Sequence, residues 1–575
     1  MVSAERVWRQ RTKALLLLMG SATLVMGYQF ARPSFVSCFV DDSILHISWC
    51  RQFQQALREG VLLPRWLPLA NGGYGSPVFI FYSPLVYYLT AIVGLVAPLV
   101  TAMKIVKLLG LFFSGVSMFW FATMVFGRKA GLATALIYQL LPYHVLDNYY
   151  WTFYAETWAW VWFPAILGGL WKCTQQPDDT RGYLFTAVCY AGLVLTHLVS
   201  AFMFAFISLA FILCMGWRSW SRWALKLGLA GLASLGLAAY FIIPMLYERR
   251  FVHIDQIVKL VDYKNTFVFF PNTVAHQYYR FFLNIIFLLQ WVTGLQVVVL
   301  LAGGWPSKFN KPTGDQELRR LRVFFILLAV SCAFLTTEAS KWLWGMVPGF
   351  SQVQFPMRWL AFLTLAVSCA AGIGIRSLRE YPSHWRTKIK ALLLTAAFFA
   401  CGLLSMVIVS NSCFLEEEAN RLALLHAYNA TEYNPRWTPE PEKRLRLQKE
   451  PLFYLEAGDG KVTVEKWAGQ EKILNYSASE PLTLRLRVFD YPGWTAYVDG
   501  SPHSLQRDSF TGAIKIALSA GSHLLQIRFE DTWWRIGAQM ISIVTLVLVV
   551  TTWLQSRRKT LHRVPIATAV FAKKN

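Results

Sequence analysis

The chain has 575 residues, of which 55% are hydrophobic, 15% aromatic and only 15% charged, with a mean hydropathy of +0.40. Soluble domains carry roughly 25% charged residues, so the composition excludes a soluble globular enzyme. The net charge of +23 invites a nucleic-acid partner, but its distribution rejects one: segments 1–13, 127–130, 172–183, 218–226, 305–322, 376–390 and 556–575 hold 27 Lys/Arg against 6 Asp/Glu, whereas the rest of the chain holds 28 against 26. Short basic loops confined to alternate connections are the positive-inside pattern. The basic segments are therefore read as cytoplasmic, and the charge as a record of topology.

In chain order, Lys13–Phe30 is apolar enough to span ~30 Å of hydrocarbon as a helix. No small-residue cleavage site follows it, so it reads as a span and not as a signal. Residues 31–106 read as one large external loop. Asp41 and Asp42 open it, just before an amphipathic stretch, Ser43–Gly60, that suits an interfacial helix. On that helix Asp42 and His46 share a face at i, i+4; the two aspartates also read simply as caps at its positive end. The run Pro77–Leu99 is long enough to cross, but crossing would put Arg128 and Lys129 outside, so it is expected to lie flat at the interface with Tyr82, Tyr87 and Tyr88. Further spans are expected near 107–126, 131–147, 157–171, 184–197, 198–217, 227–247, 283–304, 323–338, 359–375, 391–411 and 533–555. With the first, this makes about twelve crossings with both termini cytoplasmic. Residues 412–532 change character: Lys461–Trp467, Leu482–Phe489, Ala513–Ala517 and His523–Phe529 alternate as strands, and Tyr491–Trp494 and Val498–Gly500 read as turns. The expected fold is an all-α polytopic membrane protein with a small extracytoplasmic β-sandwich-like domain: a transmembrane domain over 1–411, the mostly-β domain over 412–532, and a last helix with a basic tail over 533–575.

No cytoplasmic segment is long enough for a nucleotide site, and the glycines of Asn71–Pro77 follow no strand and open no helix. Any group donor must then arrive through the membrane, linked to a lipid. The polar candidates gather on the outer side. Glu156 follows Tyr149–Ala155 at the mouth of an external connection, where an ionisable residue beside an apolar run points to function; a solvated loop carboxylate is the plainer alternative. His197 sits at the outer turn between two spans. Arg358, in Gln354–Trp359, and Arg280 are placed to hold a lipid phosphate through charge-assisted hydrogen bonds, whereas Arg249 and Arg250 suit ordinary headgroups. The nine cysteines show no CxxC and no metal spacing; Cys38, Cys50 and Cys413 face outside.

Several strings occur together in order: Asp42-xxx-His46, Gly60-xxx-Pro-Arg-Trp66, Gly73-Tyr-Gly-Ser-Pro77, Phe81-Tyr-Ser-Pro-Leu85, Ala155-Glu156, Thr196-His197 and Gln354-Phe-Pro-Met-Arg358. The chain thereby resembles the bacterial integral membrane proteins labelled "6-pyruvoyl-tetrahydropterin synthase related", a branch similar to the GT-C glycosyltransferases that use polyprenyl-phosphate donors. The segment Tyr491–Gly500 is similar to the end of membrane proteins implicated in teichoic-acid glycosylation. The resemblance implies a multi-pass protein of the bacterial cytoplasmic membrane, active on its outer face. It implies a lipid-linked sugar donor and an extracytoplasmic glycan, lipid or protein acceptor. Asp42 (or Asp41) matches the catalytic carboxylate of the first loop and Glu156 the acidic residue of the second. His46, His197, Arg358, Arg280, Tyr74 and Tyr82 are the corresponding substrate-binding candidates. Neither loop has an Asp-x-Asp, so a divalent cation (Mg or Mn) on Asp41, Asp42 and Glu156 is left open. Two other readings remain: a lipid-linked glycan transporter, which needs polar residues through the bilayer midplane, and a non-catalytic envelope assembly protein.

Overall fold

The computed structural model describes residues 4–35, 42–151, 153–216, 220–256, 262–267, 314–380, 430–438 and 450–562. The expected spans 283–304 and 391–411 lie outside these residues, as do Asp41, Arg280, Cys38 and Cys413. Among the described residues five helices are long and apolar enough to cross a membrane: Trp8–Phe30, Leu99–Phe126, Leu198–Met215, Pro356–Arg376 and Trp533–Arg558. A sixth crossing is the pair Trp223–Leu237 and Ala239–Phe251, bent by 73°. The chain is thus an integral membrane protein.

The other expected spans that fall within the described residues are helical but shorter or more polar, and twelve crossings are not shown among the described residues. The expected span 131–147 is broken. Its helix ends at Leu140, Pro142 starts a separate turn of helix to Leu146, and a π-helical turn runs over Asp147–Trp151. Proline at position 142 cannot supply the N–H that would continue the helix.

The helices used below are α1 (Ala4–Phe30), α2 (Asp42–Arg58), α3 (Leu85–Val93), α4 (Leu99–Phe126), α5 (Arg128–Leu140), α6 (Glu156–Gln175), α7 (Thr180–Thr196), α8 (Leu198–Gly216), α9 (Trp220–Leu237), α10 (Ala239–Glu248), α11 (Gly314–Leu335), α12 (Trp359–Glu380) and α13 (Trp533–His562). α4 packs on α1, α5 and α6, while α12 packs on α5 and α11. The apolar stretch at α12 is 94% buried and that of α13 only 11%, which makes α12 the axis of the bundle and α13 a lipid-facing outer helix. Within the Pro77–Leu99 run, helix is confined to Val78–Phe81, α3 and the first residue of α4. At 1.5 Å per residue, neither short piece crosses a bilayer, in keeping with the flat placement expected from the charge rule.

Residues 453–529 form two antiparallel sheets. The strands are β1 (Phe453–Ala457), β2 (Gly460–Trp467), β3 (Glu471–Ala478), β4 (Leu482–Phe489), β5 (Trp494–Val498), β6 (Ser501–His503), β7 (Gln506–Arg507), β8 (Ala513–Leu518) and β9 (Gly521–Phe529). One sheet has the order β1-β4-β8-β7, the other β2-β3-β9-β5-β6. Alternate residues of β4 (Leu482, Leu484, Leu486, Val488) are buried, the period of a half-buried strand. Asp499 (φ 50°) and Gly500 (φ 80°) make the two-residue turn between β5 and β6, both left-handed as the twist of a hairpin requires. Trp494 begins β5 and so belongs to a strand, not to the turn expected over Tyr491–Trp494.

The sandwich shares one apolar core with the stretch between α1 and α4. Trp66 is 2% exposed, with Tyr491, Trp494 and Phe529 at ring distances of 6.0, 5.5 and 5.3 Å. Around it, Arg65 pairs with Asp531 at 3.1 Å and the Gly469 N–H donates to Glu59 at 3.2 Å. Gly75 underlies this seam: its φ is +84°, and an added Cβ would sit 2.3 Å from Trp66 Nε1. We expect Gly75→Ala to cost ~2 kcal/mol or more through left-handed strain and overpacking. The check is a lower unfolding temperature, with faster protease cleavage of the sandwich than in the parent chain.

Candidate functional site

The site forms where α2, the π turn, the start of α6 and the start of α12 meet. Asp42 is the first residue of α2, half-buried, and the Arg358 guanidinium lies within its electrostatic reach. Burial raises the Asp42 carboxyl above the ordinary aspartate range, and the Arg358 charge opposes that rise. One turn on, His46 is 3% exposed and its Nδ1 lies 2.7 Å from the Tyr87 hydroxyl. Burial, aided by the Lys107 charge, pulls the imidazole down to about 3 and keeps it neutral. Its ring is walled in by Trp49, Tyr82, Tyr87 and Tyr154, so it acts as a spacer and hydrogen-bond partner, not as a proton carrier near neutral pH.

Glu156 is 1% exposed. Its Oε1 accepts from the Tyr143 hydroxyl at 2.7 Å, and its Oε2 lies 3.6 Å from Arg358 Nε. Arg358 Nη1 donates to the Val353 carbonyl at 2.8 Å, and the guanidinium lies over Phe153 and Phe355. The same carbonyl accepts the Phe355 N–H at 2.7 Å across Gln354, whose φ of 65° and ψ of −47° make a strained γ-turn. Strain of this kind persists only where surrounding structure enforces it; here it aims one carbonyl at the arginine. Among the described residues the other terminal nitrogen of Arg358 makes no hydrogen bond or ion pair, which leaves it for a ligand.

The structure therefore brings Asp42, His46, Tyr82, Glu156, His197 and Arg358 together. Tyr82 is within electrostatic reach of Asp42, Arg358 and Glu156, and His197 of Arg358 and His46. His197 Nδ1 is held 2.7 Å from the Ser200 hydroxyl. Tyr74 is not with them. It is 1% exposed, its hydroxyl bonds Glu450, its carbonyl accepts the Phe489 N–H at 2.8 Å, and its ring lies 4.8 Å from that of Phe489. The Gly73–Pro77 motif seats the β-sandwich, and Tyr74 has no free face for substrate. Asp41 and Arg280 are outside the described residues.

Sequence reasoning missed a second layer. Lys107 on α4 is fully buried, donates to the Asn148 carbonyl at 3.3 Å, and lies within electrostatic reach of Asp147. Asp147 Oδ1 in turn accepts the Phe153 N–H at 3.3 Å. These two contacts brace the π turn that leads into Glu156. Lysine inside an apolar run was the available signal. Glu432 and Tyr433 were also missed. Tyr433 stacks on Phe81 at 5.8 Å, and the Glu432 carboxyl is within electrostatic reach of Asp42.

No group of three or more His, Cys, Asp or Glu among the described residues has the proximity a metal ion needs. The positive charge beside Glu156 is supplied by Arg358 instead. The described donor set does not fit a divalent cation, and no step below passes through one.

No protein-family model matches the chain, and no curated protein does either. The likeness to the pterin-synthase-related family thus rests on its sequence motifs. Among solved structures the chain is similar to the archaeal oligosaccharyltransferase AglB of Archaeoglobus fulgidus, in complex with an inhibitory peptide and a dolichol-phosphate, at 13% identity over 75% of this chain and 61% of that one, with a TM-score of 0.42. The apo form of the Archaeoglobus fulgidus oligosaccharyltransferase gives 13% identity, 76% and 59% coverage, and a TM-score of 0.42. ArnT of Cupriavidus metallidurans, bound to undecaprenyl phosphate, gives 10% identity, 78% and 97% coverage, and a TM-score of 0.33. The chain spans about three fifths of the length of the oligosaccharyltransferase. Scores this low do not establish a common fold.

Proposed function

We propose that this chain is a membrane glycosyltransferase of the GT-C type, moving a sugar from a polyprenyl-phosphate carrier to an extracytoplasmic acceptor. One observation carries the reading: Arg358, held by the buried Glu156 at 3.6 Å and by the Val353 carbonyl at 2.8 Å, lies within electrostatic reach of Asp42, the carboxyl at the start of α2. We read the two as a base and an anion-stabilising group of one site.

In this reading Asp42 draws the proton from an acceptor hydroxyl as the oxygen attacks the anomeric carbon. The bond from that carbon to the phosphate oxygen breaks, and the carrier leaves as polyprenyl phosphate with the electron pair. Attack opposite the phosphate inverts the anomeric centre. Arg358 meets the charge developing on the departing phosphate, where a preoriented donor in a low-dielectric site counts most. Glu156 and Tyr143 act through Arg358, as positioning residues.

Arg358→Ala is expected to lower kcat by about 10²- to 10³-fold, the scale of losing one such donor. Arg358→Lys should recover little, because a point charge cannot bond Val353 and face a phosphate together. The governing experiment compares envelope glycans and lipid-linked sugars by mass spectrometry in cells with and without the protein. An accumulated polyprenyl-phosphate sugar beside an acceptor lacking that sugar supports the reading; identical profiles overturn it.

A further inference from the structure

The two sheets of the sandwich end on β6 and on β7. A cleft of about 430 Å³ opens at this edge, and its wall includes Asp490, Thr495, Tyr497, His503, Leu505 and Arg507. β6 pairs only with Ala496, Tyr497 and Val498 of β5, so Trp494 and Thr495 have no strand partner on that side and border the cleft. Arg507 Nε donates to Asp490 Oδ2 at 2.8 Å. Trp437 fixes this pair: its indole N–H donates to the Asp490 carbonyl at 2.9 Å, and the Arg507 guanidinium lies 3.7 Å from its ring centre. His503 Nε2 donates to the Ala517 carbonyl at 2.7 Å and pins β6 to β8, while the Tyr497 hydroxyl donates to Glu530 at 3.1 Å. The fold thus sets the polar groups of the cleft before any ligand arrives.

We propose that this cleft is a saccharide-binding subsite, which holds the distal part of a glycan acceptor while the acceptor's end is glycosylated at Asp42 and Arg358. The proposal rests on the glycosyltransferase reading above and narrows its acceptor to a glycan. Charge points to a neutral ligand, because the carboxylate and the guanidinium cancel. The pair is also accessible, with the Arg507 side chain 43% exposed and that of Asp490 22%. Among the described residues Asp490 Oδ1 and the terminal nitrogens of Arg507 make no hydrogen bond, which leaves an acceptor beside several donors. A sugar hydroxyl both donates and accepts, and two adjacent hydroxyls match that arrangement. Tyr497 and Leu505 add an apolar wall for the C–H face of a sugar ring. The volume falls in the range of about 300–1,000 Å³ usual for small-molecule sites; it admits a short saccharide and excludes a folded protein. Position agrees with chemistry. Trp437, behind the cleft, is four residues from Tyr433, whose ring lies 5.8 Å from Phe81 and 6.4 Å from Trp49, a neighbour of His46 and Tyr82. Four residues span at most ~14 Å, so the cleft and the site lie within reach of one oligosaccharide.

The first test reads binding without turnover. Oligosaccharides released by mild acid from the envelope of the native cells are labelled with a fluorophore at their reducing ends and titrated onto the full chain in lipid nanodiscs. Fluorescence polarisation should show saturable binding. Arg507→Ala should weaken it about tenfold, the scale of losing one charge-assisted hydrogen bond. Leu505→Trp, which fills the cleft and leaves the Asp490–Arg507 pair in place, should weaken it as much, so the result does not hang on how well the sandwich folds without Arg507. A parent that binds none of the released oligosaccharides, or variants that bind them as the parent does, overturns the proposal. The second test follows transfer, with the lipid extract of the same cells as donor. Both variants should raise the acceptor KM about tenfold and leave kcat within about twofold of the parent, because the cleft stands away from the reacting atoms. Transfer with the parent's KM in both variants refutes the subsite and leaves the glycosyltransferase reading standing. Binding that needs the cleft, in a chain that transfers nothing, keeps the saccharide site and refutes the glycosyltransferase reading instead.

Discussion

Asp42→Asn should abolish sugar transfer while leaving the folded chain as stable as the parent at neutral pH, or more stable. A positioned general base contributes typically 10²- to 10⁴-fold to rate, and an amide cannot take the proton, so kcat should fall by about that range with KM little changed. Stability should move the other way. The Asp42 carboxyl is raised in the folded state because burial disfavours its charge. For a group whose folded pKa lies above its unfolded value, the stabilising contribution is complete below the unfolded pKa. It is lost as pH rises through the folded pKa. At neutral pH the parent therefore bears the cost of an ionised, partly desolvated carboxylate, and asparagine does not. Unfolding temperatures of the two chains should converge as the pH falls toward the ordinary aspartate range, and separate in favour of Asp42→Asn above the raised value. The same raised pKa places the acid limb of the parent's rate profile above that of a free aspartate, because the base must be ionised to act. An Asp42→Asn chain that is inactive and also unstable at neutral pH would point to a structural carboxylate capping α2, and would remove the catalytic argument.

The part of this arrangement legible in the sequence is the part that obeys short periods and local charge. Alternation exposed β2, β4, β8 and β9, and the Asp499–Gly500 pair marked its hairpin turn. Basic loops led to the expectation that 77–99 lies along the surface, and the structure gives that run short helices. Glu156, His197 and Arg358 were singled out as polar residues at the ends of apolar runs, and Asp42 and His46 as one face of an amphipathic helix; the structure places these five near one another. What stayed hidden depends on non-local packing. Tyr433 lies in a polar stretch that carries no periodic signal, and long-range packing seats it on Phe81. Lys107 and Asp147 were absorbed into apolar runs read as plain spans, so neither their contacts with Asn148 and Phe153 nor the π turn between α5 and α6 was visible. Tyr74 was misread for a related reason. A glycine-rich motif with an exposed-looking tyrosine reads the same whether it receives a substrate or a second domain, and here Phe489 and Glu450 occupy it.

The other large effect concerns the attachment of that second domain. Glu248 at the end of α10 and Arg535 in the first turn of α13 are both fully buried. They form a two-pronged ion pair, Nε to Oε1 at 2.7 Å and Nη2 to Oε2 at 2.8 Å. Trp534 Nε1 donates to the same carboxylate at 2.8 Å, and Arg535 Nη2 also donates to the Pro492 carbonyl at 2.8 Å. One guanidinium thus ties the bundle, the sandwich and the last helix together. Either charge alone would be stranded without water, so Arg535→Met or Glu248→Gln should each cost about 3–5 kcal/mol, whereas the pair of changes Glu248→Met with Arg535→Met should cost less than either single change. Thermal unfolding in detergent, with limited proteolysis of the sandwich as a second readout, measures both. Single variants within ~1 kcal/mol of the parent would mean that the pair behaves as a solvated one. The consequence reaches the site, because residues 433–437 bond both to 251–253 and to Asp490 of the sandwich and seat Tyr433 against Phe81. Loosening Arg535 should therefore reduce sugar transfer before the bundle unfolds.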